Sequence, residues 1–330
     1  MCSVPSGKGL LNSKIYGKRY KCNGRKANQN PTVLLLGNGL NKAYQGASWN
    51  ELIESIWVNK KITSNAICDA PFPLQAVIAT DDSIDEKLKE KPDSFYGVKS
   101  IDEIRTPIEQ LLGIGLDHIL TTNYSYEIER VACPLVDRDG RYCKKLTAHT
   151  GACKNAETRY LLHTYNQLPY GDFINKVWHI HGEMRKPQSV VLGHYYYGKL
   201  LGKYMAELDK RGNQQKIRQE KYLPPIMDSW IDAFIMGDVY VLGFGYDFSE
   251  MDMWWLLNRK KRENARHGKV VFYEPSFGKE LKLSMLDTYG VQTEDLGFRA
   301  QGPNYKAFYE AAIDDIRKCV KQAQEEIYHG

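Results

Sequence analysis

Two histidines close an apolar run in the stretch Val177-Trp178-His179-Ile180-His181-Gly182. An imidazole titrates near neutrality and can act as a general base. A glycine directly behind it lets another backbone or a ligand come close. On a strand, residues two apart face the same side, so this spacing aims both rings at one pocket. His181, at the strand end beside the glycine, is the better placed of the two. Other apolar runs end in a comparable way. Residues 33–36 lead into Gly37-Asn38-Gly39, and residues 118–121 lead into Thr122-Asn123. Residues 239–242 lead into Gly243-Phe244-Gly245, and residues 270–273 end on Glu274-Pro275. Glycine turns after strands let backbone N–H groups approach an anion.

These groups need a scaffold that brings strand ends together. The uninterrupted apolar runs fit central parallel strands buried on both faces, and in open α/β sheets ligands bind at the carboxyl edge of the strands. Ser48-x-x-Glu51 forms a capping box that opens a helix with Leu52, Ile53, Ile56 and Trp57 on its apolar side. A second helix is expected from about residue 249. The basic residues in 258–269 suit its C-terminus better than a nucleic-acid patch. Helical or irregular insertions are expected around 58–110, 130–170 and 195–230, with 206–221 as a solvated helix or loop. The aromatic run Tyr195-Tyr196-Tyr197 is expected to pack rather than close a pocket, and His194 to lie at the surface or in the core. Residues 304–327 read as a helix, either packed on the sheet or used in oligomerisation. The fold class expected is α/β: a Rossmann-like, mostly parallel sheet with helical insertions. Residues 31–330 read as one domain. Residues 1–30, with seven Lys/Arg and no Asp or Glu, read as a basic, flexible arm.

Composition narrows the function classes. The chain has 330 residues, 42% hydrophobic and 26% charged, as in soluble globular proteins. No apolar run approaches the ~18 residues that span a bilayer, and no signal-peptide core is visible near the start, so a cytoplasmic location is expected. A net charge of +5 does not require a nucleic-acid partner. The seven cysteines form no C-x-x-C pair. Cys133, Cys143 and Cys153, with His149 and His163 nearby, fit reduced thiols better than an irregular metal site. No metal is expected. The dinucleotide fingerprint G-x-G-x-x-G fails at Lys42, and Glu54, at the distance of the acidic residue that should follow, falls on a helix. A hydride-transfer enzyme is therefore a weak reading.

Taken in order, GNGLN, TTNYS, the His181-Gly182 strand end and LGFGYDFSEMD resemble the sirtuin superfamily, specifically its divergent SIR2-like branch of bacterial anti-phage defence. The resemblance spans about residues 31–320 and is concentrated in these motifs. It implies that Gly37, Asn38, Gly39 and Asn41 stand where the family holds a pyrophosphate. Thr122 and Asn123 stand beside the nicotinamide ribose, His181 is the catalytic histidine, and Gly243, Phe244 and Gly245 approach the adenosine. Glu274 would then bond a ribose hydroxyl. Zinc-bearing sirtuin deacylases carry two C-x-x-C pairs; this chain carries none, and Ser125 stands where their motif has aspartate. The implied activity is therefore an NAD+ glycohydrolase yielding nicotinamide and ADP-ribose, with NAD+ as substrate and His181 and Asn123 as catalytic residues. The branch further implies a triggered effector, a homo-oligomer and a partner such as a helicase-type ATPase. The alternatives are a protein deacylase or ADP-ribosyltransferase, and a module that binds NAD or ADP-ribose without turnover.

Overall fold

In a computed structural model of the chain, the described residues are 30–90, 97–133, 157, 159–221, 227–263, 268–275, 278–298 and 304–329. Backbone alone is described at 14–15, 18–19, 213–220 and 326–329. Within the basic N-terminal stretch, β1 (Lys14–Ile15) pairs antiparallel with β2 (Lys18–Arg19). The rest of 1–29 and the expected thiols Cys143 and Cys153 lie outside the described residues.

The fold is α/β, built on a seven-stranded open sheet. Its strands are β3 (Thr32–Leu36), β4 (His118–Thr121), β5 (Asn166–Tyr170), β6 (Phe173–His179), β7 (Asp238–Leu242), β8 (Val270–Tyr273) and β9 (Val291–Glu294). Their order is β5-β6-β4-β3-β7-β8-β9. Every pair is parallel except β5 with β6. The sheet begins at its centre with β3 and adds β4 beside it. The chain then reaches the edge with β5 and fills the gap with β6. It returns to β7 on the other side of β3 and winds outward through β8 and β9. That reversal leaves a crevice at the carboxyl ends of the central strands. Register aligns those ends. Leu36 lies opposite Thr121 on one side and Leu242 on the other, and Leu242 lies opposite Tyr273. The residues that follow therefore emerge side by side along one edge.

The strands are apolar throughout because both faces are covered. Val33, Leu35, Val239, Val241 and Phe272 face a core completed by α7 (His194–Glu220), α8 (Trp230–Met236) and α9 (Met251–Glu263). Leu34, Leu36, Tyr240, Leu242 and Tyr273 face a second core with α5 (Ile101–Leu112) and α11 (Tyr305–His329). A third cluster joins α2 (Trp49–Ser55), α3 (Phe72–Thr80) and α4 (Ile84–Glu90) to Tyr124, Val190 and Leu192, forming a wall above the carboxyl edge.

Some expectations need correction. The outer strands β5 and β9 were not foreseen, being short and partly polar at the edges of the sheet. The helix expected from about 249 starts at Met251, and of the stretch 206–221, expected as a helix or loop, residues 206–220 belong to the long helix α7. The C-terminal helix packs on the sheet through Phe308, Ala312, Ile313, Ile316 and Val320. The strand expected to reach Ile180 ends at His179. No helix among the described residues is long and apolar enough to cross a membrane.

Candidate functional site

The two loops beneath the crevice are stitched together by their backbones. Gly37 N–H donates to Leu242 O at 3.0 Å and Gly39 N–H to Gly243 O at 2.7 Å. A Cβ on Gly37 would stand 2.4 Å from Phe244 Cα, and one on Gly39 would stand 2.7 Å from Gly243 O. Gly243 itself has φ +68°, a left-handed conformation that favours glycine. These glycines are required first by the approach of two loops. The expectation that Gly37 and Gly39 offer their N–H groups to an anion is corrected, because both donors are already committed. No such bond engages the N–H groups of Asn38, Leu40 or Asn41. Gly245 is different: a Cβ there meets nothing within 4 Å.

Above these loops lies a cavity of about 480 Å³, within the roughly 300–1,000 Å³ of small-molecule sites. Its wall takes Asn38 and Gly39 from the end of β3, Thr122 and Asn123 from β4, Gly243, Phe244 and Gly245 from β7, and Glu274 from β8. Eight of the eleven residues expected at the site thus meet on one surface. Gly37, Asn41 and His181 do not line it. Gly37 is covered by the second loop. Asn41 is buried, with its carbonyl accepting from Tyr44 and Gly46. Sequence reasoning missed Lys42, Trp49, Phe72, Asp247, Glu250, Tyr305 and Tyr309, which also line the cavity. Asp247 and Glu250 belong to the motif LGFGYDFSEMD, a few residues after its glycines.

Asn123 is held by its backbone on both sides. Its N–H donates to Thr121 Oγ1 at 3.1 Å, and its carbonyl accepts from His179 Nδ1 at 2.8 Å. The side-chain Oδ1 is buried and has no hydrogen-bond partner. His179 also reaches Glu129 Oε1 through Nε2 at 3.0 Å and packs its ring edge-on against Tyr126. Burial opposes its charge, but Glu129, Glu183 and the Asn123 carbonyl more than offset this, raising its pKa to about 9. His179 is thus a buried cation that fixes the asparagine loop.

His181 has other partners, so the two rings do not share a pocket; the strand ends before the second and its alternation is lost. His181 is fully buried. Its Nε2 donates to Asp252 Oδ2 at 2.9 Å, and its Nδ1 lies 4.0 Å from Glu250 Oε2 with no hydrogen-bond partner. Gly182, at φ +95°, makes room for backbone: a Cβ would stand 2.2 Å from Ser189 O. Tyr197 packs its ring edge-on against His181 at 5.5 Å and donates its hydroxyl to Glu250 Oε2 at 3.0 Å. Tyr195 is exposed and His194 lies on the surface. Burial raises the pKa of Glu250; His181 lowers it and Asp252 adds to the rise. Burial likewise opposes the charge on His181, but Asp252 and Glu250 reverse the shift and raise its pKa.

His181, Glu250 and Asp252 offer a nitrogen and two carboxylate oxygens within 4.8 Å of one another. Such a donor set can take a divalent cation, although the bond to Asp252 already occupies Nε2. Cys133, the described member of the expected cysteine group, is a free thiol.

No family model matches the chain, and no curated protein sequence matches it.

Proposed function

We propose that the chain cleaves the N-glycosidic bond of NAD+, releasing nicotinamide and ADP-ribose. One observation carries this reading: four strand ends along the carboxyl edge of the sheet converge on one cavity, whose lining includes Asn123, a residue with a buried carboxamide oxygen that has no partner. The loss of nicotinamide leaves a ribosyl cation. Catalysis then rests on geometry and on negative charge placed near the developing cation. Glu250 and Asp247 supply carboxylates on the wall, and Asn123 orients the attacking water or the ribose. Lys42 and the Asn38 N–H meet the pyrophosphate, and Glu274 accepts from ribose hydroxyls. Trp49 and Phe72, stacked with ring centroids 5.9 Å apart, provide flat apolar surface for a base.

The test is nicotinamide release from NAD+ by the wild-type protein and by Asn123→Ala, with folding followed by thermal denaturation. Release by wild type, reduced at least tenfold in the variant at unchanged thermal midpoint, supports the reading. Binding of ADP-ribose without any release of nicotinamide would move it to a binding module. Absence of both binding and release would remove NAD+ altogether.

A further inference from the structure

The residue best equipped to handle a proton at this cavity is one that motif reading passes over. Glu250 lines the cavity, whereas His181 stands behind it. We propose, resting on the NAD+-cleaving reading above, that Glu250 is the general base of the reaction and that His181 and Asp252 act through it as positioning residues.

Three geometric facts converge. Asp252 accepts from His181 Nε2, which fixes the ring and turns Nδ1 towards Glu250. That Nδ1 is buried and has no hydrogen-bond partner, 4.0 Å from the Glu250 carboxylate. Tyr197 holds Glu250 Oε2 by a 3.0 Å hydrogen bond, so the carboxylate is orientated. Local sequence explains why Glu250 stands here. Asp247 Oδ1 accepts from Ser249 N–H and Ser249 Oγ, turning the chain, and the N–H groups of Met253 and Trp254 both donate to Glu250 O. Glu250 therefore sits at the start of α9, where the helix dipole favours a negative charge.

The step balances as follows. A water oxygen forms a bond to C1′ of the nicotinamide ribose. The C1′–N bond breaks with its electron pair, and nicotinamide leaves neutral. The proton from water passes to Glu250, leaving the C1′ hydroxyl of ADP-ribose, and Glu250 then returns the proton through His181 Nδ1 or to solvent. The charged and titratable groups facing Glu250 are His181 from the end of β6, Tyr197 from α7, Asp252 from α9 and Asp247 from the preceding loop. Tyr204, also from α7, donates to Asp252 Oδ2 at 3.1 Å, the same oxygen that His181 engages.

The deciding experiment pairs binding with turnover for wild type, Glu250→Gln, Asp252→Asn and Tyr197→Phe. ADP-ribose is the binding probe, and nicotinamide release from NAD+ is followed from pH 5 to 9. Glu250→Gln should bind ADP-ribose within a few-fold of wild type and turn over about 10²–10⁴-fold more slowly, the range of a lost general base. Asp252→Asn and Tyr197→Phe should stay active and displace the acidic limb of the pH–rate profile, which a merely structural role would not do. If Glu250→Gln fails to fold, a displaced limb in Tyr197→Phe supports the proposal and an unmoved one overturns it. Glu250→Gln turning over like wild type also overturns it, while the NAD+ reading stands. A wild type that never releases nicotinamide fails that reading and the proposal together. Loss of activity on chelation, restored by a divalent cation, would make the cluster a metal site and overturn the proton-transfer role.

Discussion

His179 illustrates how a side chain can govern a site it never touches. Its ring bonds the Asn123 carbonyl and the Glu129 carboxylate, and that pairing raises its pKa from 6.5 to about 9. A group whose folded pKa is raised contributes stability fully below its unfolded pKa and loses it as pH rises through the folded value. Stability should therefore fall between about pH 6.5 and 9, by up to about 1.4 kcal/mol per pH unit from this residue. Urea denaturation across that range measures the slope. His179→Gln, which keeps a donor but not the titration, should flatten it. The same substitution should slow turnover by loosening Asn123, even though the ring lies outside the cavity wall. Both histidines were legible in the sequence; their separate roles were not. They are decided by Glu129 and Asp252, acids brought up from helices 50 and 71 residues away.

At the scale of elements, the strand ends were readable because a parallel strand buried on both faces is a continuous apolar run, and such a run must stop where the chain turns. The capping box at Ser48 was equally readable: its side chain accepts from Glu51 N–H at 3.2 Å and Glu51 Oε2 accepts from Ser48 N–H at 2.6 Å. The edge strands β5 and β9 escaped because half-exposed residues alternate too briefly to stand out. The glycines divide by what their missing side chain admits. Gly37→Ala should cost about 1–3 kcal/mol or more through the clash with Phe244, visible as a lower thermal midpoint. Gly245→Ala should leave stability within about 0.5 kcal/mol and weaken ADP-ribose binding, because the added methyl points into open space on the cavity wall. Lys260 shows element-level design of another kind. Its ammonium donates to the carbonyls of Phe234, Ile235 and Gly237 at 3.0, 2.9 and 2.6 Å, closing the C-terminus of α8 beneath the sheet. Lys260→Met should leave those acceptors unpaired and cost about 1–3 kcal/mol.

At the scale of the whole molecule, α11 is part of the sheet's cover. Phe308, Tyr309, Ala312, Ile313, Ile316 and Val320 are buried on one face of it. At about 1.5–3 kcal/mol for each fully buried large side chain, their loss is on the order of 10 kcal/mol, comparable to the net stability of a domain. A chain ending before Tyr305 should therefore not fold cooperatively, as circular dichroism on heating would report. Tyr305 and Tyr309 also line the cavity, so the same truncation opens the site. The helix at 304–327 was legible in the sequence, but which surface it covers depends on the sheet.

The bonds from Gly37 to Leu242 and from Gly39 to Gly243 extend the ladder between β3 and β7 past the ends of both strands. The floor of the cavity therefore has the stiffness of a sheet, whereas the wall built from α2 and α3 rests on a small cluster of its own. Amides of the floor should exchange with deuterium slowly whether or not the site is filled. A bound ligand would then register in the wall around Trp49 and Phe72, which sets where accommodation of different bases has to occur.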